Sequence, residues 1–133
     1  MKSRLILPTF LLLSAIFWSC KKEDQPQEDR TKPTITVVSP ANNTMLMNGD
    51  AIVIKVNMAD NDALHDCTVQ LKNLTANTVL LDIEKDVDEA TFAVDTTYAA
   101  NVTTNSDFLL TVTASDHAEN VDTVRVHLHV MPQ

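Results

Sequence analysis

The clearest structural signal in the chain lies in residues 108–130, which read FLLTVTASDHAENVDTVRVHLHV. On both sides of the central SDHAEN, apolar residues take every second position. They are Leu110, Val112 and Ala114 on one side, and Val124, Val126, Leu128 and Val130 on the other. Alternation with a period of two residues is typical of a β-strand that buries one face, and the polar segment between indicates a turn. The stretch therefore predicts two strands joined by a turn.

Five similar segments precede this stretch. Four alternate in the same way and one is a shorter apolar run; they lie at residues 34–37, 52–58, 67–72, 79–83 and 91–95. Segments rich in Asn, Asp, Ser or Thr separate them and indicate turns. Seven short strands in about 100 residues predict an all-β protein, an immunoglobulin-like β-sandwich of about seven antiparallel strands. The predicted bounds of this domain are residues 34–133.

Two stretches carry a family resemblance. They are SPANNTMLMNGDAIVIKVNMADNDAL at residues 39–64 and FLLTVTASDHAEN at residues 108–120. Together they resemble the Ig-like and cadherin-like domains of extracellular bacterial proteins. That family usually has glycine where this chain has Glu119. The resemblance implies a sandwich displayed outside the cytoplasm, but no particular ligand, because such domains serve as spacers, adhesins and ligand binders alike.

The chain begins with a different kind of signal. Two basic residues, Lys2 and Arg4, precede an almost purely apolar run at residues 5–18, and Cys20 follows shortly after. The run of about fourteen residues is shorter than the roughly twenty that a transmembrane helix needs. A basic start, a short apolar run and a cysteine at the cleavage position predict a secretory signal peptide at residues 1–19.

Residues 17–20, FWSC, resemble the lipobox of bacterial lipoproteins. That resemblance implies that Cys20 carries palmitate-type acyl chains and that the protein is an outer membrane lipoprotein of the cell envelope. Residues 22–24, KED, resemble the short tag that sends Bacteroidetes lipoproteins to the cell surface. The alternatives are an ordinary signal peptide cut nearby and a solvated, charged linker. Residues 20–33 are polar and lack apolar periodicity, which predicts a disordered tether.

Charge and composition narrow the range of functions. Without residues 1–19 the chain has eight basic and eighteen acidic residues, a formal net charge of −10 that disfavours nucleic acid as a partner. Three aromatic residues then remain, Phe92, Tyr98 and Phe108, and so few rings disfavour glycan binding. The chain has no motif for nucleophilic catalysis, and Cys67 alternates into the predicted core. We therefore expect that the protein is not an enzyme and has no catalytic residue.

Two predicted loops contain oxygen ligands that suit Ca²⁺. The candidate ligands are Asp60 and Asp62 between the second and third predicted strands, and Asp116, Glu119 and Asn120 between the sixth and seventh. In an Ig-like sandwich these two loops lie at the same end. Ca²⁺ takes six to eight oxygen ligands, so two loops together can form a site. The alternative is that Asp60 and Asp116 cap turns by accepting hydrogen bonds from their own backbone. Apart from this Ca²⁺, the sequence predicts no cofactor.

The last predicted strand places two imidazoles on one face. His127 and His129 are two residues apart, with Arg125 beside them, and the third predicted strand adds Lys72 to the same outer face. A pair of imidazoles at this spacing can share a transition metal, although no third ligand is evident. The four residues also form a mildly basic face for an acidic envelope or extracellular protein partner. The alternative is that this face is the solvated side of an antiparallel sheet.

These observations favour one function and leave two alternatives open. The favoured hypothesis is a lipid-anchored Ig-like module of the cell envelope, with the membrane as one partner and a binding or structural role. A calcium-stabilised adhesion-type domain is the first alternative. A metal-assisted envelope enzyme is the second.

Overall fold

The computed structural model describes residues 28–133, which form eight β-strands in two sheets. The strands are β1 (Thr34–Ser39), β2 (Thr44–Met47), β3 (Ala51–Ala59), β4 (Leu64–Asn73), β5 (Thr78–Asp86), β6 (Thr91–Ala99), β7 (Ser106–Asp116) and β8 (Val121–Met131). The predicted signal peptide, Cys20 and the KED motif lie outside the described residues. Residues 28–133 contain no helix with the length and hydropathy that crossing a bilayer requires.

The two sheets pack face to face around one core. One sheet has the order β1-β3-β6 and the other has the order β2-β8-β7-β4-β5. The arrangement of β1-β3-β6 opposite β8-β7-β4 corresponds to strands A-B-E opposite G-F-C of immunoglobulin-like sandwiches. The prediction of an all-β, Ig-like sandwich is therefore confirmed.

The strand that the sequence does not predict is β2. It raises the number of strands from the expected seven to eight, and it pairs with β8 in parallel, whereas all other pairs are antiparallel. Hydrogen bonds from Asn43 N to His127 O and from Asn48 N to Met131 O, both 2.7 Å, flank the pairing. The strand reads TMLM and lies among turn residues. It has apolar side chains on both faces, so no alternation distinguishes it from a loop.

The core lies between the two sheets and follows from the alternation. All nine residues of β3 alternate strictly between exposed and buried, as the period of two predicts. The largest fully buried side chains are Phe108, Ile52, Ile54, Met58, Leu64, Leu71, Leu110, Leu128, Val56, Val69, Val112 and Val130. Full burial of a side chain of this kind stabilises the fold by about 1.5–3 kcal/mol. Packing between the sheets is thus the main source of stability in the described domain.

Cys67 belongs to this core. Its side chain lies on β4 and is 1% exposed. Burial, and to a smaller extent the negative charge of Asp66, raises the pKa of the Cys67 thiol to about 11. The thiol is therefore neutral at neutral pH and a poor nucleophile.

Three loops meet at one end of the sandwich. They are residues 60–63 between β3 and β4, 87–90 between β5 and β6, and 117–120 between β7 and β8. Backbone hydrogen bonds from Asp60 N to Ala90 O (2.9 Å) and from Leu64 N to Glu89 O (3.0 Å) hold the first two together. Residues 28–33 also run to this end, where Asp29 contacts the first and third loops. We call these four segments together the loop end.

Candidate functional site

Three carboxylates converge at the loop end. Asp29, Asp60 and Asp116 each place one oxygen so that all three oxygens lie within 4.8 Å of one another. Asp116 is 3% exposed, and the other two are half-buried. Asp60 Oδ1 is buried and has no hydrogen-bond partner. A buried carboxylate oxygen without a donor is unusual, because leaving such an atom unsatisfied costs free energy.

Asp116 is positioned by the turn that follows β7. Its Oδ1 accepts hydrogen bonds from the backbone N–H groups of Ala118 and Asn120, both 2.8 Å. Its Oδ2 accepts a hydrogen bond from Asn120 Nδ2 at 2.7 Å. Asp116 therefore caps its own turn, as the alternative interpretation of the sequence expects.

Asp60 also caps a turn, but only with one oxygen. Its Oδ2 accepts a hydrogen bond from Asp62 N at 3.0 Å. This leaves Oδ1 free to bind another group. Turn capping thus accounts for the position of Asp60 and Asp116, but it does not account for the unpartnered Oδ1 beside two further carboxylates.

Asp29 is the residue of this cluster that the sequence does not predict. Its Oδ1 accepts a hydrogen bond from Thr31 N (2.8 Å) and its Oδ2 accepts one from Asn61 Nδ2 (2.8 Å). Its carbonyl oxygen accepts a hydrogen bond from Asn120 Nδ2 (3.1 Å). These donors, Thr31 first and Asn61 second, lower the pKa of Asp29 below its ordinary value of 3.8. Asp29 is therefore ionised at neutral pH.

The other predicted ligands lie at the same end but outside the three-carboxylate cluster. Asp62 is exposed and lines an open groove together with Asp29 and Asn61. Glu119 is exposed and has a left-handed backbone, with φ at 66°. Asn120 directs its amide nitrogen, not its oxygen, toward Asp116 and Asp29. The structure thus brings two of the five predicted ligands together and adds Asp29.

Electrostatics favour a cation in this cluster. The three carboxylate oxygens lie within 4.8 Å of one another, so their negative charges repel. The N–H donors around Asp29 and Asp116 offset part of this repulsion. A divalent cation bound by oxygens would offset more of it, and hard cations such as Ca²⁺ prefer carboxylate and carbonyl oxygens.

His117 of the loop end and His65 at the start of β4 interact with each other and with carboxylates nearby. The rings of His65 and His117 stack with their centroids 4.6 Å apart. His117 Nε2 lies 3.0 Å from Asp88 Oδ1, and His65 groups with Asp66 and with Asp86 on the adjacent strand β5. Contacts with these carboxylates and stacking account for the placement of both rings.

The predicted partner face lies on the outer side of the five-stranded sheet. Lys72 of β4 and His127 of β8 both lie opposite Leu109 of β7, and Arg125 and His129 occupy alternate positions beside His127. The structure therefore brings all four predicted residues to one face. Strand β5 adds acidic side chains to that face, and His129 is hydrogen-bonded to a carboxylate of β7. The face therefore has mixed charge. The acidic residues are Asp82, Glu84 and Asp107.

The fold and the loop end define a class: a single β-sandwich domain with a cluster of carboxylates where the N-terminal segment meets the loops. The chain belongs to a family described as Domain of unknown function (DUF4625), which matches residues 18–131. The comparison with curated proteins found no match.

Proposed function

We propose that the protein is a lipid-anchored β-sandwich module of the bacterial cell envelope with a binding or structural role. The order of segments supports the anchor: a basic start, the apolar residues 5–18, the motif FWSC and a polar segment before the sandwich. Each methylene of an acyl chain on Cys20 would contribute about 0.8 kcal/mol, so two or three chains give a stable anchor. The KED motif favours the outer face of the outer membrane.

Metabolic labelling tests the anchor. In cells given a labelled fatty acid, we expect the wild-type protein to carry the label and to stay in the membrane fraction. Cys20→Ala should lose both properties, because it removes the acylated sulfur. Cys67→Ala is the matched control and should keep both. Equal labelling of Cys20→Ala and wild type would contradict the proposal.

The second part of the proposal is that Ca²⁺ binds at the loop end and stabilises the domain. One observation carries it: Asp60 Oδ1 is buried without a partner beside the carboxylates of Asp29 and Asp116. These three residues are the candidate ligands, with backbone carbonyls and water completing the six to eight oxygens that Ca²⁺ takes.

The position of Asp29 gives such an ion a structural role. Asp29 lies nine residues after Cys20, a span of at most about 30 Å. A cation shared by Asp29 and the loops would attach this segment to the sandwich. The length of chain between anchor and sandwich would then be shorter, so the domain would be held closer to its anchor.

Calcium titration of the melting temperature tests the site. Extracellular modules bind Ca²⁺ with Kd values of about 10⁻⁴–10⁻³ M, so titration to about 10 mM covers the range. At ten times Kd, binding stabilises the folded state by about 1.4 kcal/mol. For a domain of about 100 residues this raises Tm by roughly 6–11 °C.

Two variants separate a specific site from a general effect of salt. Asp60→Asn should abolish the response to Ca²⁺, and in Ca²⁺-free buffer it should raise Tm because it relieves repulsion in the cluster. Asp82→Asn removes an exposed carboxylate on β5 and should respond as wild type does. The calcium proposal fails if Tm is constant up to 10 mM Ca²⁺, or if the two variants respond equally.

A further inference from the structure

The unpredicted edge strand β2 creates a cluster of thioethers at the end of the sandwich opposite the loop end. Met45 and Met47 point outward from β2, and Met131 ends β8; they are 72%, 40% and 37% exposed. In the parallel pairing Met45 lies beside His129, and Met47 lies beside Met131. Three methionines and one histidine therefore share one patch of the outer face.

The backbone holds these four residues at short spacing. The hydrogen bonds from Asn43 N to His127 O and from Asn48 N to Met131 O fix β2 against β8 on both sides of the patch. Neighbouring strands lie about 4.8 Å apart, and residues two positions apart on a strand lie about 6.6 Å apart. Methionine side chains have three rotatable bonds, so sulfur atoms rooted at these positions can converge on one point.

His129 is oriented as metal-binding histidines usually are. Its Nδ1 lies 2.6 Å from Asp107 Oδ1, and the backbone N–H of Asp107 is held by Thr75 Oγ1 at 3.0 Å. A carboxylate only accepts hydrogen bonds, so Nδ1 carries the proton and the neutral ring has its lone pair on Nε2. In metal sites, a carboxylate commonly accepts a hydrogen bond from the ring nitrogen that does not bind the metal. This hydrogen bond fixes the tautomer and the orientation of the histidine.

We propose that Met45, Met47, Met131 and His129 form a binding site for a soft monovalent cation of the copper(I) class. Thioether sulfurs select Cu(I) over hard cations, and imidazole is a compatible fourth ligand. His127 lies two residues from His129 on the same face and can supply a further imidazole. The thioethers provide the ligands that the two histidines lack when the sequence is considered alone. This site is independent of the proposed calcium site, which would use hard oxygen ligands at the other end of β8.

Silver(I) is a suitable probe because it has the same charge and the same preference for thioethers, and it does not change oxidation state in air. The full-length protein, purified in detergent with ¹³C-labelled methionine methyl groups, is titrated with Ag(I) in chloride-free buffer. We expect the methyl signals of Met45, Met47 and Met131 to shift together and to saturate at one ion per chain. Met58 is 1% exposed in the core and its signal should not move. If the three surface methyl signals do not move, or do not move together, the proposal fails.

Substitutions distinguish metal binding from an apolar surface that merely attracts partners. The triple variant Met45→Leu, Met47→Leu, Met131→Leu keeps size and hydropathy but lacks sulfur, and circular dichroism should show the wild-type fold. In competition with a Cu(I) chelator, this variant should lose affinity for Cu(I) by at least tenfold, whereas Met58→Leu should not. Asp107→Asn should weaken binding by about 10–100-fold through His129. All variants retain Cys67, so binding by its thiol contributes equally. A triple variant that binds within twofold of wild type would overturn the proposal.

Discussion

At the scale of single residues, Glu119 is the least favourable backbone choice in the described chain. Its φ of 66° is a left-handed conformation, which Asn43 and Asn77 also adopt and which asparagine tolerates better. The left-handed backbone gives a physical reason why Ig-like domains usually have glycine at this position. Glycine has no Cβ and enters this region without the steric cost that other residues incur.

Glu119→Gly should therefore stabilise the domain, although glycine also has more freedom in the unfolded state. The left-handed cost of about 1–2 kcal/mol exceeds that entropic loss, so we expect a net gain of about 0.5–1 kcal/mol. The free energy of unfolding of the variant and of wild type, measured by urea titration, tests this prediction.

Two controls isolate the backbone effect. Ala118→Gly, at a neighbouring position without positive φ, should destabilise the domain. Glu119→Gln keeps the strained backbone but removes the charge. Its free energy of unfolding should therefore rise less than that of Glu119→Gly. A Glu119→Gly variant less stable than wild type would contradict this account.

At the scale of elements, period-two alternation predicts seven strands and which residues share a face. On that basis alone the sequence predicts one shared face for Lys72, Arg125, His127 and His129. The structure places them on the outer side of the five-stranded sheet. Strand β2 could not be predicted in this way, because TMLM carries apolar residues on both sides and its stability comes from pairing with a strand about 80 residues later.

The outer face of the five-stranded sheet also gives a prediction about partners. If it binds an acidic partner, Arg125→Glu should reduce capture of that partner from intact cells by more than tenfold, because like charges in an interface repel. Lys55→Glu is the matched control: Lys55 lies on β3 of the other sheet, paired with Asp95 at 3.1 Å. Equal capture by the two variants, or no capture by wild type, would favour a purely structural role.

At the scale of the whole molecule, the loop end and the methionine patch lie at opposite ends of the sandwich. The loop end lies toward the proposed anchor, because the described chain enters there, and the methionine patch lies about 35 Å away along the eleven residues of β8. Asp29 connects residues 28–33 to two loops at the first end. Its role could not be predicted from the sequence, because its partners Asn61 and Asn120 are 32 and 91 residues away.

Because the two hydrogen bonds to the Asp29 side chain favour its ionised form, the attachment of residues 28–33 to the sandwich should depend on pH. The pKa of Asp29 is lowered below 3.8 by Thr31 and Asn61, so the attached state binds a proton less readily than the detached state. By linkage, the stabilisation is fully present above pH of about 4 and is lost as pH falls through the lowered value.

The NMR signals of Thr31 N–H and the Asn61 side-chain amide should report this as one transition with a midpoint below 3.8. Asp29→Asn should abolish the transition, since an amide does not titrate, whereas Asp62→Asn should preserve it. A midpoint at or above 3.8 would mean that these hydrogen bonds do not hold the segment in place.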